Sequence, residues 1–429
     1  MAEAEDASAA TNATYGQITL RLIPLLFLCY VAAYLDRVNV SFAKLQMLQD
    51  LRFSETTYGL GAGIFFIGYS LLAIPSNILL ARVGARVWIA RIMIAWGVIS
   101  GAMLFVRSPT SFYIIRFLLG VAEAGFFPGV ILYLTYWYPS HRRAKVVALF
   151  MAAQPVSGLI GGPLSGWILQ SSHGLGGLAG WQWLFLLEAL PAVLMGVMVL
   201  CCLDDSIRAA RWLRQDQKQM LETDIQAESR SKQKYSVSSV LRNGRVWLMS
   251  LIYFCFVTGL YGVGFWLPSI IKTAGVEQPF EIGLLTTIPY AAAILSMILM
   301  SRSADRRHER RWHPALAAVA GSMGLVFSTL HGDNVALAIA GLTVATAGII
   351  TTLPLFWSLP TAVLGGTAAA AGIALINSVG NLGGFVSPYL VGWIKDLTDS
   401  TQLGMYALAC FLVLGAILTL SLPARLVNK

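Results

Sequence analysis

The sequence predicts an all-α membrane protein of twelve transmembrane helices in two pseudo-symmetric six-helix bundles. Three observations predict it. Of 429 residues, 57% are hydrophobic and only 12% charged, about half the charged share of a soluble domain, and the mean hydropathy is +0.69. The apolar residues fall into twelve stretches near the roughly 20 residues that a helix needs to cross a bilayer. One long polar segment, 204–245, divides those stretches six and six.

Taken in order, residues 1–17 form a polar, acidic tail. With no basic n-region, apolar h-region or cleavage site, no signal peptide is expected. The first bundle, 18–203, holds spans at about 18–40, 57–81, 88–106, 111–138, 144–169 and 181–203. The second, 246–424, holds spans at about 246–271, 281–301, 313–330, 335–357, 368–394 and 403–424, and a tail of 425–429 closes the chain. Within the linker, ARWLRQDQKQMLETDIQAE has the pattern of an amphipathic helix that lies along the membrane surface.

The halves repeat. The second-to-third turn, LLARVGARVWIAR, and the eighth-to-ninth, MSRSADRRHERRW, are short basic turns at equivalent places. The fifth span, QPVSGLIGGPLSGWIL, and the eleventh, NSVGNLGGFVSPYLVGWI, both gather small residues and proline before a Gly-Trp-Ile. Small residues let helices approach closely and Gly or Pro lets them bend. Parallel halves with a site between them are the layout of a rocking transporter.

Positive charge sets the orientation. Arg82, Arg86 and Arg91, Arg142, Arg143 and Lys145, nine Lys and Arg of the linker, and five Arg between 302 and 311 share one side with both termini. The opposite loops hold only Lys44, Arg52, Arg107, Lys272 and Lys395. The positive-inside rule places both termini in the cytoplasm. These loops also account for the net charge of +9, so no nucleic-acid partner is expected. Five cysteines lie in apolar segments without C-x-x-C spacing, and no metal or cofactor is expected. No G-x-x-x-x-G-K-[ST] loop occurs, which argues against ATP-driven pumping. A nucleophile–base constellation is also lacking, so an enzyme is not expected.

Chemistry is expected from charges inside the membrane. In RFLLGVAEAGFFPGVILYLTYWYP only Glu123 is ionisable between Phe117 and Pro139, and Arg116 lies two turns earlier on the same helical face. A carboxyl at that depth costs at least about 2.5 kcal/mol on insertion scales and marks a substrate or proton path, or else an ion pair that only orients helices. On the first span Tyr30, Tyr34, Arg37 and Ser41 form a polar stripe, with Asp36 about 100° away. One of Asp36 and Arg37 then faces a cavity and the other a neighbouring helix; the alternative is that both snorkel. Arginine suits a carboxylate ligand because its planar fork binds both oxygens and keeps its proton. The second half has almost no intramembrane charge, so it supplies neutral contacts, with Asn377, Asn381, Trp357 and Ser358 as candidates beside Tyr69, Gln154 and Ser157 of the first half. Each of these is equally readable as interhelical glue. Glu188 reads as a structural carboxyl or a coupling one.

Several stretches resemble the major facilitator superfamily, and within it the anion:cation symporter family. These are YLDRVNVSFA (34–43), GIFFIGYSLLAIPSNILLARVGAR (63–86), RFLLGVAEAGFFPGVILYLTYWYP (116–139), GWQWLFLLEALP (180–191), ADRRHERR (304–311) and NSVGNLGGFVSPYLVGWIKD (377–396). They span nearly the whole chain and are most similar to bacterial tartrate, phthalate and hydroxyphenylacetate carriers. The second-to-third turn departs from the superfamily's D-R-x-G-R-R pattern, with Val83 and Ala85 and no acid. The resemblance implies Arg37 as the anion anchor, Asp36 and Glu123 as the protonatable pair, and Arg116 as the partner of Glu123. It also implies that Tyr69, Gln154, Trp357 and Asn377 line the pocket, to which Tyr34 and Asn381 are added from their positions. The expected function is proton-coupled uptake of a small organic anion such as tartrate by a monomer in the bacterial inner membrane. The alternatives are a carrier of an aromatic carboxylate and a drug/proton antiporter.

Overall fold

The computed structural model describes residues 2–230, 242–307, 309–363 and 366–424. The tail 425–429 and residues 231–241 of the expected linker lie outside the described residues. The described chain is helical: α1 Ala2–Leu51, α2 Glu55–Val83, α3 Ala85–Gly101, α4 Pro109–Glu123, α5 Phe126–Thr135, α6 Ser140–Met151, α7 Ala153–Ser171 and α8 Gly180–Cys202 make the first half. After α9, Gln215–Arg230, the second half runs α10 Gly244–Thr273, α11 Pro279–Arg307, α12 Trp312–Leu330, α13 Val335–Val363, α14 Gly366–Asn381, α15 Gly383–Thr398 and α16 Gln402–Ser421. Among the described residues, eleven segments are long and apolar enough to cross a membrane, with α4–α5 and α6–α7 each counted as one. The eleventh expected span is broken at Leu382 into two 16-residue helices, each short of a bilayer's thickness by itself.

The fourth span is also broken, in mid-membrane and directly after Glu123. Gly125 takes φ +89°, in the left-handed region, where a residue without Cβ is at little cost. Three residues on, Pro128 has no N–H for the Ala124 carbonyl and its ring crowds that position. The helix therefore stops at Glu123 and restarts at Phe126.

Helices α1 and α10 are the most enclosed of the membrane-length segments. The two halves meet where α2 packs on α15, α7 on α11 and α1 on α10. Close approach needs small residues there: a Cβ at Gly59 would meet the Pro388 carbonyl, and one at Gly162 the carbonyl of Gly283. Every described hydrogen bond joining the halves lies between the level of Arg37 and the end that carries Lys44 and Lys395. The molecule is therefore closed at that end, the one opposite the basic turns.

Helix α9 does not lie free along a surface. Leu213 and Leu221 are buried, Trp212 stacks on Trp137 at 6.0 Å, and the Arg21 guanidinium sits 5.0 Å over the Trp212 ring. Tyr15 donates to Asp224 Oδ2 (3.0 Å). The apolar face that an amphipathic pattern offers to lipid is taken up here by the ends of α1 and the fourth span.

Candidate functional site

Arg37 of α1 sits at the junction of the halves, 7% exposed. Its Nη1 donates to the hydroxyl of Tyr261 on α10 (2.7 Å), and its Nη2 forms an ion pair with Glu123 at the broken end of α4. One guanidinium thus holds both halves. Rings of Phe65, Tyr69 and Tyr34 surround its carbon at 5.4, 5.6 and 6.0 Å. Within about 6 Å an aromatic face attracts a guanidinium. Gln154 of α7 donates to the Tyr34 hydroxyl (3.2 Å). Two groups at this centre lack partners, Arg37 Nε and Glu123 Oε2.

The expected pairing of Arg116 with Glu123 is not what the structure holds. Arg116 is buried and donates from Nε to the Gly61 carbonyl (3.2 Å) and from Nη2 to the Ala62 carbonyl (3.3 Å). Seven residues along one helix is a rise of about 10.5 Å, whereas side chains meet at three or four. Arg116 therefore pins α4 to α2, and Glu123 finds its arginine on α1.

Asp36 turns away from Arg37. Its Oδ1 accepts from Ser100 Oγ of α3 (2.9 Å). On the second half, Tyr253 packs against Trp357 at 4.9 Å between ring centres, which brings Trp357 to the edge of the tyrosine group around Arg37. Asn381 donates to the Asn377 carbonyl (2.8 Å), so its amide serves the break between α14 and α15. No described contact joins Asn377 or Asn381 to Arg37. Ser157 donates to the Val31 carbonyl (3.2 Å) and lines, with Ser41, Thr286 and Tyr290, a narrow cleft between α1, α7, α10 and α11.

Two features escape sequence reasoning. Tyr261 looks like one more aromatic in an apolar helix, and its only signal is a hydroxyl amid GLYGVGFW. The second is a charged lock at the closed end. Glu55 at the start of α2 pairs with Lys44 of α1 (2.7 Å) and Lys395 of α15 (2.5 Å). Asp396 accepts the backbone N–H groups of Glu55 and Thr56 (3.1 and 2.7 Å), the orphan donors of a helix start. Lys44 Nζ lies 3.3 Å from the centre of the Trp266 ring. The signal was charges of both signs at one end of both halves. Because Glu55 is 20% exposed on its side chain, we expect Glu55→Gln to weaken closure by about 1 kcal/mol, a several-fold rise in the open population. Distances between spin labels on the facing ends of α2 and α15 measure it.

The model of the Major Facilitator Superfamily matches residues 26–388. A candidate tartrate transporter of Agrobacterium vitis is 50% identical over 95% of this chain and 94% of its own. The candidate metabolite transport protein NicT of Pseudomonas putida is 48% identical over 99% and 98%. The crystal structure of a bacterial homologue of the human lysosomal transporter Spinster, inward-facing and unoccupied, superposes with a TM-score of 0.74 over 94% of this chain and 96% of that one. At 17% identity that likeness speaks for the fold alone.

Proposed function

The chain belongs to the major facilitator superfamily and is a membrane transporter, and on that premise we propose that it imports a small organic anion together with protons. The substrate class is a carboxylate, tartrate first. The moving units are 18–203 and 246–424, tied by the linker 204–245, acting as a monomer in the bacterial inner membrane with both termini in the cytoplasm.

The observation that carries this reading is the sharing of Arg37 between Glu123 and Tyr261. A guanidinium engaged by a protein carboxylate is closed to a substrate carboxylate. A proton on Glu123 removes that competitor and opens the planar fork to the incoming anion. Proton and anion are then bound together or not at all, which is the requirement for symport. When the proton leaves on the far side, Glu123 reclaims Arg37 and expels the anion. Because Tyr261 belongs to the other half, the same exchange alters a contact that ties the halves. Import of a monoanion against an inside-negative potential is opposed by about 2.3 kcal/mol per charge per 100 mV, so more than one proton per anion is favourable.

The rings around Arg37 favour a second substrate within the same class, an aromatic carboxylate. Uptake into proteoliposomes under an imposed inward proton gradient tests both. Tartrate accumulation supports the first reading, and accumulation of phthalate or hydroxyphenylacetate alone supports the second. With folded protein, no acid-driven uptake of any carboxylate overturns symport and leaves drug antiport.

A further inference from the structure

No described contact joins Glu188 of α8 to Arg37, yet it is 2% exposed inside the first bundle. Its Oε1 accepts from Ser165 Oγ of α7 (2.6 Å), and its Oε2 has no partner. Asp36 is in the same situation: Oδ1 is bonded and Oδ2 is not. Between them stands Asn39, one turn along α1 and 1% exposed. Its Nδ2 donates to Asp36 Oδ1 (3.4 Å), its side chain also reaches Glu188, and its Oδ1 is unpartnered. Three buried oxygens therefore have no hydrogen bond, two on carboxyls and one on the amide that bridges them, and the indole N–H of Trp96, itself unpartnered, faces Asp36.

The one cation among the described residues near enough to act on Asp36 is Arg116 of α4, and it makes no ion pair with either carboxyl. Among the described residues, neither carboxyl makes an ion pair. The charged groups near enough to act on Asp36 are Glu188 and Arg116, and Arg116 is bound to the carbonyls of α2. Trp96 of α3 and Ser100 are the neutral groups that face Asp36; Ser165 and Asn39 face Glu188. Two bare carboxylates in one dry compartment repel each other and are poorly solvated. A proton placed on one of them turns an orphan acceptor into a donor, and the free oxygen of Asn39 is there to receive it.

We propose that Glu188 and Asp36, bridged by Asn39, form a dicarboxyl pair that holds one of the transported protons behind α1, out of reach of the substrate. The proposal rests on the proton-coupled reading above and adds a residue to it. Asp36 and Arg37 are neighbours on one helix, so the movement of α1 that releases or recaptures Arg37 also moves one member of the pair. Glu188 acts through Asp36 as a positioning residue and touches no substrate.

Glu188→Gln removes the repulsion that makes the pair keep its shared proton. The pH profile of uptake should then move towards acid by roughly one unit, a tenfold change in proton concentration, and the protons moved per anion should fall by one. Ser165→Ala keeps the carboxyl but removes its donor, so it tests the pair should Glu188→Gln not fold; it should also displace the profile. A lower maximal rate with an unmoved profile in folded Glu188→Gln would mean a structural carboxyl and overturn the inference. Infrared spectra of the purified wild type at neutral pH give a readout that does not depend on transport. A protonated-carboxyl C=O band that is lost or displaced in both Glu188→Gln and Asp36→Asn is expected, and ionised carboxylates alone would overturn the pair. Failure of the symport reading would be seen separately, as a wild type without proton-driven uptake.

Discussion

Arg37→Ala is expected to abolish accumulation of the anion and to weaken its binding by about 2–5 kcal/mol, or roughly 30-fold to several thousand-fold. The guanidinium is the only cation among the described residues that the structure places against both Glu123 and the second half. Its removal takes away the fork that a carboxylate would use and a contact between the halves. It also strands Glu123, 0% exposed, and breaking a buried pair by removing one partner destabilises by about 3–5 kcal/mol. Loss of transport alone is therefore ambiguous. The double variant Arg37→Ala with Glu123→Gln resolves it: with no stranded charge, thermal stability should recover much of what the single variant lost, while transport stays absent. Arg37→Lys should fall between, since an ammonium keeps the charge without the bidentate fork. A drug antiporter would tolerate Arg37→Ala, so retained transport of a cationic or amphipathic compound would shift the reading to that alternative.

The fold was legible because membrane spans are written in composition. Each requires a long apolar run, and the positive turns between them stand out against it. The breaks were not legible. Hydropathy averages over Gly125 to Pro128 and over Asn377 to Gly384, so two interrupted helices read as continuous spans. The site was legible in half. Arg37, Asp36 and Glu123 are conspicuous as charges in apolar surroundings, and their depth follows from position in the span. Which of them meet depends on how helices 86 residues apart pack, and periodicity within one helix carries no such information. That is why a shared face, together with the resemblance, points Arg116 to Glu123, whereas the structure gives Arg116 to the carbonyls of α2. Tyr261 shows the same limit from the other side. A tyrosine among fifteen, in a half with almost no intramembrane charge, becomes a candidate only once Arg37 is seen to reach it.

The exchange of Glu123 for a proton as the keeper of Arg37 makes its own prediction. Glu123→Gln retains the size and an acceptor oxygen but cannot ionise, so it never competes with the substrate as a carboxylate. Binding of the anion should persist at neutral pH, and exchange of labelled for unlabelled anion across the membrane should continue, because neither requires a net proton movement. Gradient-driven accumulation should be lost, because the anion then binds whether or not a proton is carried, and the proton held behind α1 no longer obliges the two to move together. Under an inside-negative potential of 100 mV, a monoanion without its protons is held out by about 2.3 kcal/mol, roughly a 50-fold ratio against import. The pH dependence carries the sign: wild-type affinity should fall as pH rises, since ionised Glu123 recaptures Arg37, whereas the variant's affinity should be flat over the same range. A variant that accumulates the anion like the wild type would remove Glu123 from proton coupling. A variant that is flat in pH yet still accumulates would transfer the coupling to Asp36 and the compartment behind α1.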